Sequence, residues 1–369
     1  MKLQSLLVFA PVVSVSAYTL HHHQPTFTSR GSSSSLKQLP ETLSIDASIM
    51  QSLEKSFGAL PEMELTLRQA EAKHEMPWKQ SIDPKVDDEL LYMPFWEWQM
   101  SFFEENLTDL QVLPCTNGKH DFSYNENLDK KARIVNLCAS SKEYRKIRMT
   151  YYDAGDNTQV YNAVMYPDPE YNLPVLGVDI LCFNKKKYLA IVDFQPLHDN
   201  EEDHAANYEH LLKPIKEQYD SLKGRMSSKF YDETQHFSQQ MLFARFDDEE
   251  VVSRDLFPAF KSYVKTHLDL IKSTERRPQD VQHVLDCQKD YDTYSAERDP
   301  ATGLFTAMFG AEWAQDFVHD FLFDMSERTE GGPPPANPFM GGGGPPPGAA
   351  AKATQGAPQE KQAAAAPAR

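Results

Sequence analysis

Residues 144–196 read YRKIRMTYYDAGDNTQVYNAVMYPDPEYNLPVLGVDILCFNKKKYLAIVDFQP, and this stretch decides the fold. Four runs rich in β-branched and aromatic residues, 145–152, 160–166, 175–183 and 188–194, predict four strands. Between them stand Asp153-Ala154-Gly155-Asp156-Asn157, Pro167-Asp168-Pro169 and Asn184-Lys185-Lys186-Lys187, which are turn sequences. Connections this short leave no room for crossover helices, so the sheet is antiparallel. Outside this stretch the apolar period lengthens. Residues 96–110 are aromatic-rich and helical in pattern, Leu256, Phe260, Val264 and Leu268 recur every four residues, Val281, Val284 and Leu285 begin another stripe, and Trp313, Phe317 and Phe321 form the last. Helices before and after one antiparallel sheet predict an α/β fold, a three-layer α/β/α sandwich with its site between the sheet and one helical layer.

Three polar residues break the pattern of their surroundings. Asp179 is the only charge in the apolar run 173–183; stripped of hydration there, its carboxyl should bind a proton more tightly and serve as a donor near neutral pH. Asn162 lies within the strand 160–166 and can orient a ligand or a water without releasing a net proton. Asp299 precedes Pro300 and an apolar run, which by spacing alone is an ordinary helix N-cap. The acidic run Asp199-Asn200-Glu201-Glu202-Asp203-His204 resembles a metal cluster in composition but lacks helical ligand spacing, and reads as a solvated loop.

The ends of the chain read differently from its middle. Lys2, the apolar run 6–13 and Val15-Ser16-Ala17 have the layout of a signal peptide, too short to span a bilayer. Residues 18–40 are rich in Ser, Thr and His and contain no Asp or Glu, so 1–42 together resembles the bipartite presequence of a plastid enclosed by extra membranes; plain secretion with a Ser-rich linker is the alternative. From Gly331 onward the chain holds 8 of its 16 glycines and 9 of its 25 prolines, a composition that cannot offset the entropy of ordering it, and 329–369 is read as a disordered tail. The folded domain expected is 43–328.

With 37 Lys+Arg against 54 Asp+Glu the net charge is −17, which argues against a nucleic-acid partner held by phosphate neutralisation. No membrane partner is expected. Cys115, Cys138, Cys182 and Cys287 stand far apart with no Cys-x-x-Cys, against an iron–sulfur cluster, a zinc site or a dithiol centre, and are expected to be buried thiols. No Gly-x-Gly-x-x-Gly follows a strand and no Walker loop occurs, so neither a resident dinucleotide nor a metal is expected.

The odd residues fall in a familiar order of segments: Tyr144-Arg145-Lys146-Ile147-Arg148, Asp153-Ala154-Gly155-Asp156, residues 159–167, Asn172-Leu173-Pro174 through Asp179, Asp193-Phe194-Gln195-Pro196-Leu197, Lys229-Phe230-Tyr231-Asp232, Phe237-Ser238 and Tyr294-Ser295-Ala296-Glu297-Arg298-Asp299-Pro300. In this order, over about 91–325, they resemble the ferredoxin-dependent bilin reductases. The resemblance implies an α/β/α sandwich with no bound cofactor, holding a linear tetrapyrrole between its sheet and C-terminal helices. Reduced ferredoxin is the external donor of single electrons, and protons come from site carboxylates and water through bilin radicals. Asp179 matches the family's central sheet aspartate and Asp299 the helix-side aspartate facing it, a role spacing did not suggest.

Within the family, the phycocyanobilin-forming branch carries His where this chain has Asn162. Branches that finish phycoerythrobilin from dihydrobiliverdin, or make phytochromobilin, carry Arg four residues before the helix-side Asp, where this chain has Ser295. The implied reaction is two-electron reduction of biliverdin IXα at C15=C16 to 15,16-dihydrobiliverdin, in phycoerythrobilin biosynthesis, with the product available to a downstream bilin reductase. The alternatives are a single-enzyme phycoerythrobilin synthase or a dihydrobiliverdin-to-phycoerythrobilin reductase of the same family and, from other classes, a non-catalytic bilin carrier or an unrelated hydrolase using Asp179 and Asp299. Arg225, Lys229 and Arg245 are candidates for the bilin propionates by neighbourhood. An acidic ferredoxin needs a local basic patch, for which Lys185, Lys186 and Lys187, with Lys130, Lys131, Arg133, Arg145 and Lys146, are candidates; a solvated hairpin tip is the alternative for the lysine triplet.

Overall fold

The computed structural model describes residues 67–72, 79, 82, 90–197, 204–226 and 235–328, all within the compact unit Met63–Arg369. The stretches 1–42, 198–203, 227–234 and 329–369, Lys229 included, lie outside the described residues.

The four expected strands form the middle of an eight-stranded sheet: β4 (Tyr144–Asp153), β5 (Thr158–Pro167), β6 (Val175–Phe183) and β7 (Lys187–Gln195). β1 (Gln111–Leu113), β2 (Tyr124–Asn127), β3 (Ala132–Ser140) and β8 (Leu242–Phe246) extend it in the order β1-β3-β4-β5-β6-β7-β8, with β2 also pairing β3, and every pairing is antiparallel. The β6–β7 hairpin turns through Asn184 and Lys185, both at positive φ, a local twist that matches that of the strands.

Alternation along each strand gives the sheet two faces of different character. Tyr151, Tyr161, Ala163, Val178, Ile180 and Val192 face one helical layer, made by α2 (Met93–Asn106) and α4 (Phe257–Ser273), in a single buried cluster. α1 (Leu67–Ala72) and α3 (His210–Lys216) belong to this layer through Leu67 and Leu212. α4 buries Phe260, Tyr263, Val264, His267, Leu268 and Ile271, a helical stripe in which each fully buried aromatic or aliphatic side chain contributes about 1.5–3 kcal/mol. The opposite face carries α5 (Val281–Arg298), α6 (Ala301–Phe309) and α7 (Ala311–Phe317). These cover the sheet through separate patches, Phe305, Trp313, Phe317 and Phe321 on Phe122 and Ile134, and Val284 and Tyr291 on Val164 and Tyr166. The three-layer α/β/α sandwich is therefore present.

Some boundaries differ from the sequence reading. α2, where the sequence predicts a helix over 96–110, stops at Asn106, and the chain is already a strand by Gln111. The stripe Trp313-Phe317-Phe321 is divided between α7 and a wider turn, Val318–Leu322, and Gly310, at φ 96, separates α6 from α7 in a conformation glycine adopts without penalty. Cys115, Cys138 and Cys182 are buried, whereas Cys287 is half-buried beside His283. Among the described residues no helix is long and apolar enough to cross a membrane.

One buried histidine fastens the first helical layer to the sheet. His267 Nε2–H donates to the Pro174 carbonyl at 2.9 Å, and Nδ1 accepts from Tyr144 Oη at 3.0 Å. Burial lowers its pKa to about 4, so the ring is neutral and both bonds persist through the neutral range. His267→Leu orphans a hydroxyl and a carbonyl together; the expected loss is about 2–4 kcal/mol, read as a lowered denaturant midpoint at unchanged slope.

Candidate functional site

Between the sheet and the α5–α6 corner lies a cavity of about 1240 Å³. Its floor is the sheet face opposite the α2–α4 core: Arg148 and Thr150 of β4, Asn162 of β5, and Gly177 and Asp179 of β6. Its roof is Tyr291, Tyr294, Ser295 and Asp299 of α5 and its C-terminal end, with Leu304 and Phe305 of α6. Period 2 puts Asp179 on this face, while its neighbours Val178 and Ile180 fill the core beneath.

The polar floor is a row set by strand register. Asn136 pairs with Thr150, Thr150 with Asn162, and Asn162 with Asp179, so four consecutive strands place these side chains side by side. Asn162 Nδ2 donates to Asp179 Oδ1 at 3.0 Å, and Arg148 Nη1 donates to Asn162 Oδ1 at 2.8 Å and to Thr150 Oγ1 at 3.2 Å. Thr150 Oγ1 in turn donates to Asn136 Oδ1 at 2.7 Å. Asp179 Oδ2 makes no hydrogen bond among the described residues.

Burial raises the pKa of Asp179 to about 7, Asp299 adding to the rise across the cavity while Asn162's hydrogen bond and Arg148 oppose it. Burial likewise raises Asp299, against the Ala301 N–H, which donates to its Oδ1 at 2.8 Å, and against Arg148. The helix-cap and cavity-facing readings of Asp299 are both met: one oxygen ties down the start of α6, and the residue still lines the cavity. Two carboxyls with raised proton affinity on opposite walls of one cleft can hold and deliver protons to a ligand between them.

Other expected residues divide. Arg245 lines the cavity mouth, exposed and 5.5 Å from the Phe243 ring centroid. Arg225 is exposed beside the Lys223–Phe243 bridge and is not among the described residues that line the cavity. The extended basic patch is corrected. Arg133 is buried on Asp153 at 2.7 Å, Lys146 is buried on the Phe321 carbonyl at 2.7 Å and Asp324 at 3.1 Å, and Arg145 donates to Gln288 at 2.7 Å; all three hold the fold together. Of the lysine triplet, Lys185 pairs with Asp156 at 2.9 Å, Lys186 and Lys187 are exposed, and Lys187 lies on the cavity rim.

Sequence reasoning passed over Arg148, 1% exposed in a strand whose other charged residues have structural partners. It also passed over Asp292, fully buried, which accepts from Tyr166 Oη at 2.7 Å and from Met325 N at 3.1 Å and is raised to about 6 by burial. Gln195 is a third such residue. Its Oε1 accepts from Tyr291 Oη at 2.5 Å, and it lies flat over Gly177, where any Cβ would overlap it. A glycine in the middle of a strand was the available signal.

Comparison with known proteins agrees with this architecture. Residues 104–324 match the sequence model of the ferredoxin-dependent bilin reductases. The 15,16-dihydrobiliverdin:ferredoxin oxidoreductase of Nostoc punctiforme is 42% identical over 239 residues, 63% of this chain and 95% of that one. The enzyme of the same name from Gloeobacter violaceus is 40% identical over 236 residues, again 63% and 95%. The crystal structure of phytochromobilin synthase from tomato in complex with biliverdin superposes with a TM-score of 0.56 at 22% identity, over 63% of this chain and 83% of that one, and shares the fold. A match across most of the described domain, with relatives spanned nearly end to end, shows that the chain belongs to the ferredoxin-dependent bilin reductase family.

Proposed function

We propose that the protein reduces biliverdin IXα at its C15=C16 double bond to 15,16-dihydrobiliverdin, taking two electrons from two reduced ferredoxins and adding two protons. The observation that carries this reading is the convergence of Asp179, Asn162 and Asp299 on one cavity between sheet and helices. The names of the relatives at 42% and 40% identity support the choice of bond. In this mechanism the bilin lies between floor and roof. Each electron raises the basicity of the tetrapyrrole, and a proton follows from the carboxyl in reach, so that bilin radicals are the intermediates. Asp179 serves as an acid because burial keeps it partly protonated near pH 7. Asn162 orients it without competing as a proton source.

Arg245, at the mouth, is the partner proposed for a propionate, and Lys186 and Lys187 the docking point for an acidic ferredoxin. The protein acts in a plastid stroma, reached through the presequence 1–42; 43–328 is the catalytic domain, 329–369 a tail, and the product passes to a second bilin reductase.

Anaerobic incubation with biliverdin, ferredoxin and a reducing system, followed by chromatography, tests the reaction. A two-electron product conjugated through rings A to C is expected. Phycoerythrobilin formed directly would instead assign a four-electron synthase, and tight binding with an unchanged absorption spectrum a carrier. Gly177→Ala is expected to push Gln195 off Tyr291 and weaken biliverdin binding about tenfold; absorption titration reads this, and unchanged affinity would remove Gln195 from the binding surface.

A further inference from the structure

Arg148 is almost completely buried, yet it sits beneath a cavity rather than in a surface ion pair. We propose that Arg148 is a positioning residue: by holding Asn162 Oδ1 it presents Asn162 Nδ2–H to Asp179 and thereby sets that carboxyl's affinity for its proton. The inference deepens the reductase reading above and rests on it.

The direction of every hydrogen bond around Arg148 is forced. A guanidinium only donates, so Asn162 and Thr150 must turn oxygens toward it. The Asn162 amide then has only its N–H₂ left for Asp179, where it favours the carboxylate. The flipped amide would set donor against donor at Arg148 and acceptor against acceptor at Asp179. On the other branch, Thr150 passes its proton to Asn136 Oδ1, and Asn136 Nδ2 donates to the Phe122 carbonyl at 2.6 Å. Two donor chains thus start at Arg148, one ending on backbone and the other on the carboxyl that faces the ligand.

Charge works in the same direction. A guanidinium is a cation, and Arg148 Nε has no hydrogen-bond partner among the described residues. The groups around it are Cys138 of β3, Tyr166 of β5, Asp179 of β6, Tyr291 and Asp299 of α5 and its end, and the Phe323 ring, whose centroid is 5.9 Å from the guanidinium carbon. Both tyrosines and the thiol are held neutral by burial. One guanidinium facing two carboxyls is balanced when the pair retains a single proton, the state in which an acid is ready before the first electron arrives.

Infrared difference spectroscopy on the ligand-free protein tests this without turnover. The carbonyl stretch of protonated Asp179, assigned by its loss in Asp179→Asn, is followed against pH. Arg148→Met, which removes charge and fork together, is expected to raise its midpoint by about one pH unit or more. Arg148→Lys keeps the charge, but its ammonium ends one bond short of the Nη1 position and lacks the planar guanidinium that fixes the donor direction toward Asn162, so it raises the midpoint by a smaller, measurable amount, and adds nothing in an Asn162→Leu background. An unmoved midpoint in Arg148→Lys, or additive shifts with Asn162→Leu, overturns the proposal; Arg148→Lys alone decides where Arg148→Met does not fold. The alkaline limb of biliverdin turnover should move with the midpoint. Failure of the wild type to reduce biliverdin, with the infrared shift intact, would count against the reductase reading and not against the positioning role.

Discussion

Asp179→Asn is expected to bind biliverdin with near-native affinity and to turn over at least about 10²-fold more slowly, because a positioned acid is worth that much to a proton-coupled step. The substitution is nearly isosteric and preserves the acceptor for Asn162 Nδ2, so neither the floor of the cavity nor the sheet is disturbed. What it removes is a transferable proton on the wall of the ligand cavity. Electrons should still enter, and a one-electron-reduced bilin should accumulate, visible by absorption and electron paramagnetic resonance under anaerobic conditions. Wild-type rates in this variant would refute the role assigned to Asp179. The same carboxyl should shape the wild-type pH profile. It acts in its protonated form, so activity is retained below its pKa of about 7 and falls as pH rises through that value.

The second large effect concerns stability. A carboxyl whose pKa is raised on folding binds a proton in the native state that the unfolded chain releases, so native stability falls as pH rises between the two values. For Asp179 the interval runs from the ordinary 3.8 to about 7, and Asp292, raised to about 6, and Asp193 and Asp299, also raised by burial, act in the same sense. The ligand-free protein should therefore be most stable at mildly acidic pH. Asp179→Asn removes one such ionisation. Its melting temperature should match wild type near pH 3, where Asp179 is neutral in the folded and the unfolded chain alike, draw ahead as pH rises above the ordinary 3.8, and exceed it by several degrees at pH 8, a gain of at most about 4 kcal/mol. A constant offset at both pH values would mean that ionisation of Asp179 is not the source. The variant is thus expected to be more stable and nearly inactive, the trade-off of a site built around an uncomfortable charge.

The middle of the sheet was legible because its signals are local. Alternating apolar runs and turn sequences lie within 144–196, and Asp179 stood out as a charge in an apolar run. The outer strands were not legible for the opposite reason. Gln111–Leu113 is only three residues long and Tyr124–Asn127 is polar, and only their pairing with Ala132–Ser140 makes them strands. Asp299 shows a different limit: a cap and a cavity wall use the same residue, and spacing reports only the first. The basic residues failed most clearly. Arg133, Arg145 and Lys146 look in sequence like a surface patch, but Asp153, Asp324 and Gln288, distant in the chain, draw them into the fold. Arg148 sits in that same basic run, and nothing local distinguishes the cation under the cavity from those pinning helices.

The two-faced sheet has a consequence for how such an enzyme can change. On β4, β5 and β6, odd and even positions answer to different demands: Tyr151, Tyr161 and Ile180 secure the α2–α4 layer, while Thr150, Asn162 and Asp179 line the cavity on the other face. Substitutions on the cavity side are therefore buffered from the principal core by the thickness of one backbone. A lineage can revise the floor one residue at a time, altering where protons are delivered, with the scaffold's foldability held nearly constant.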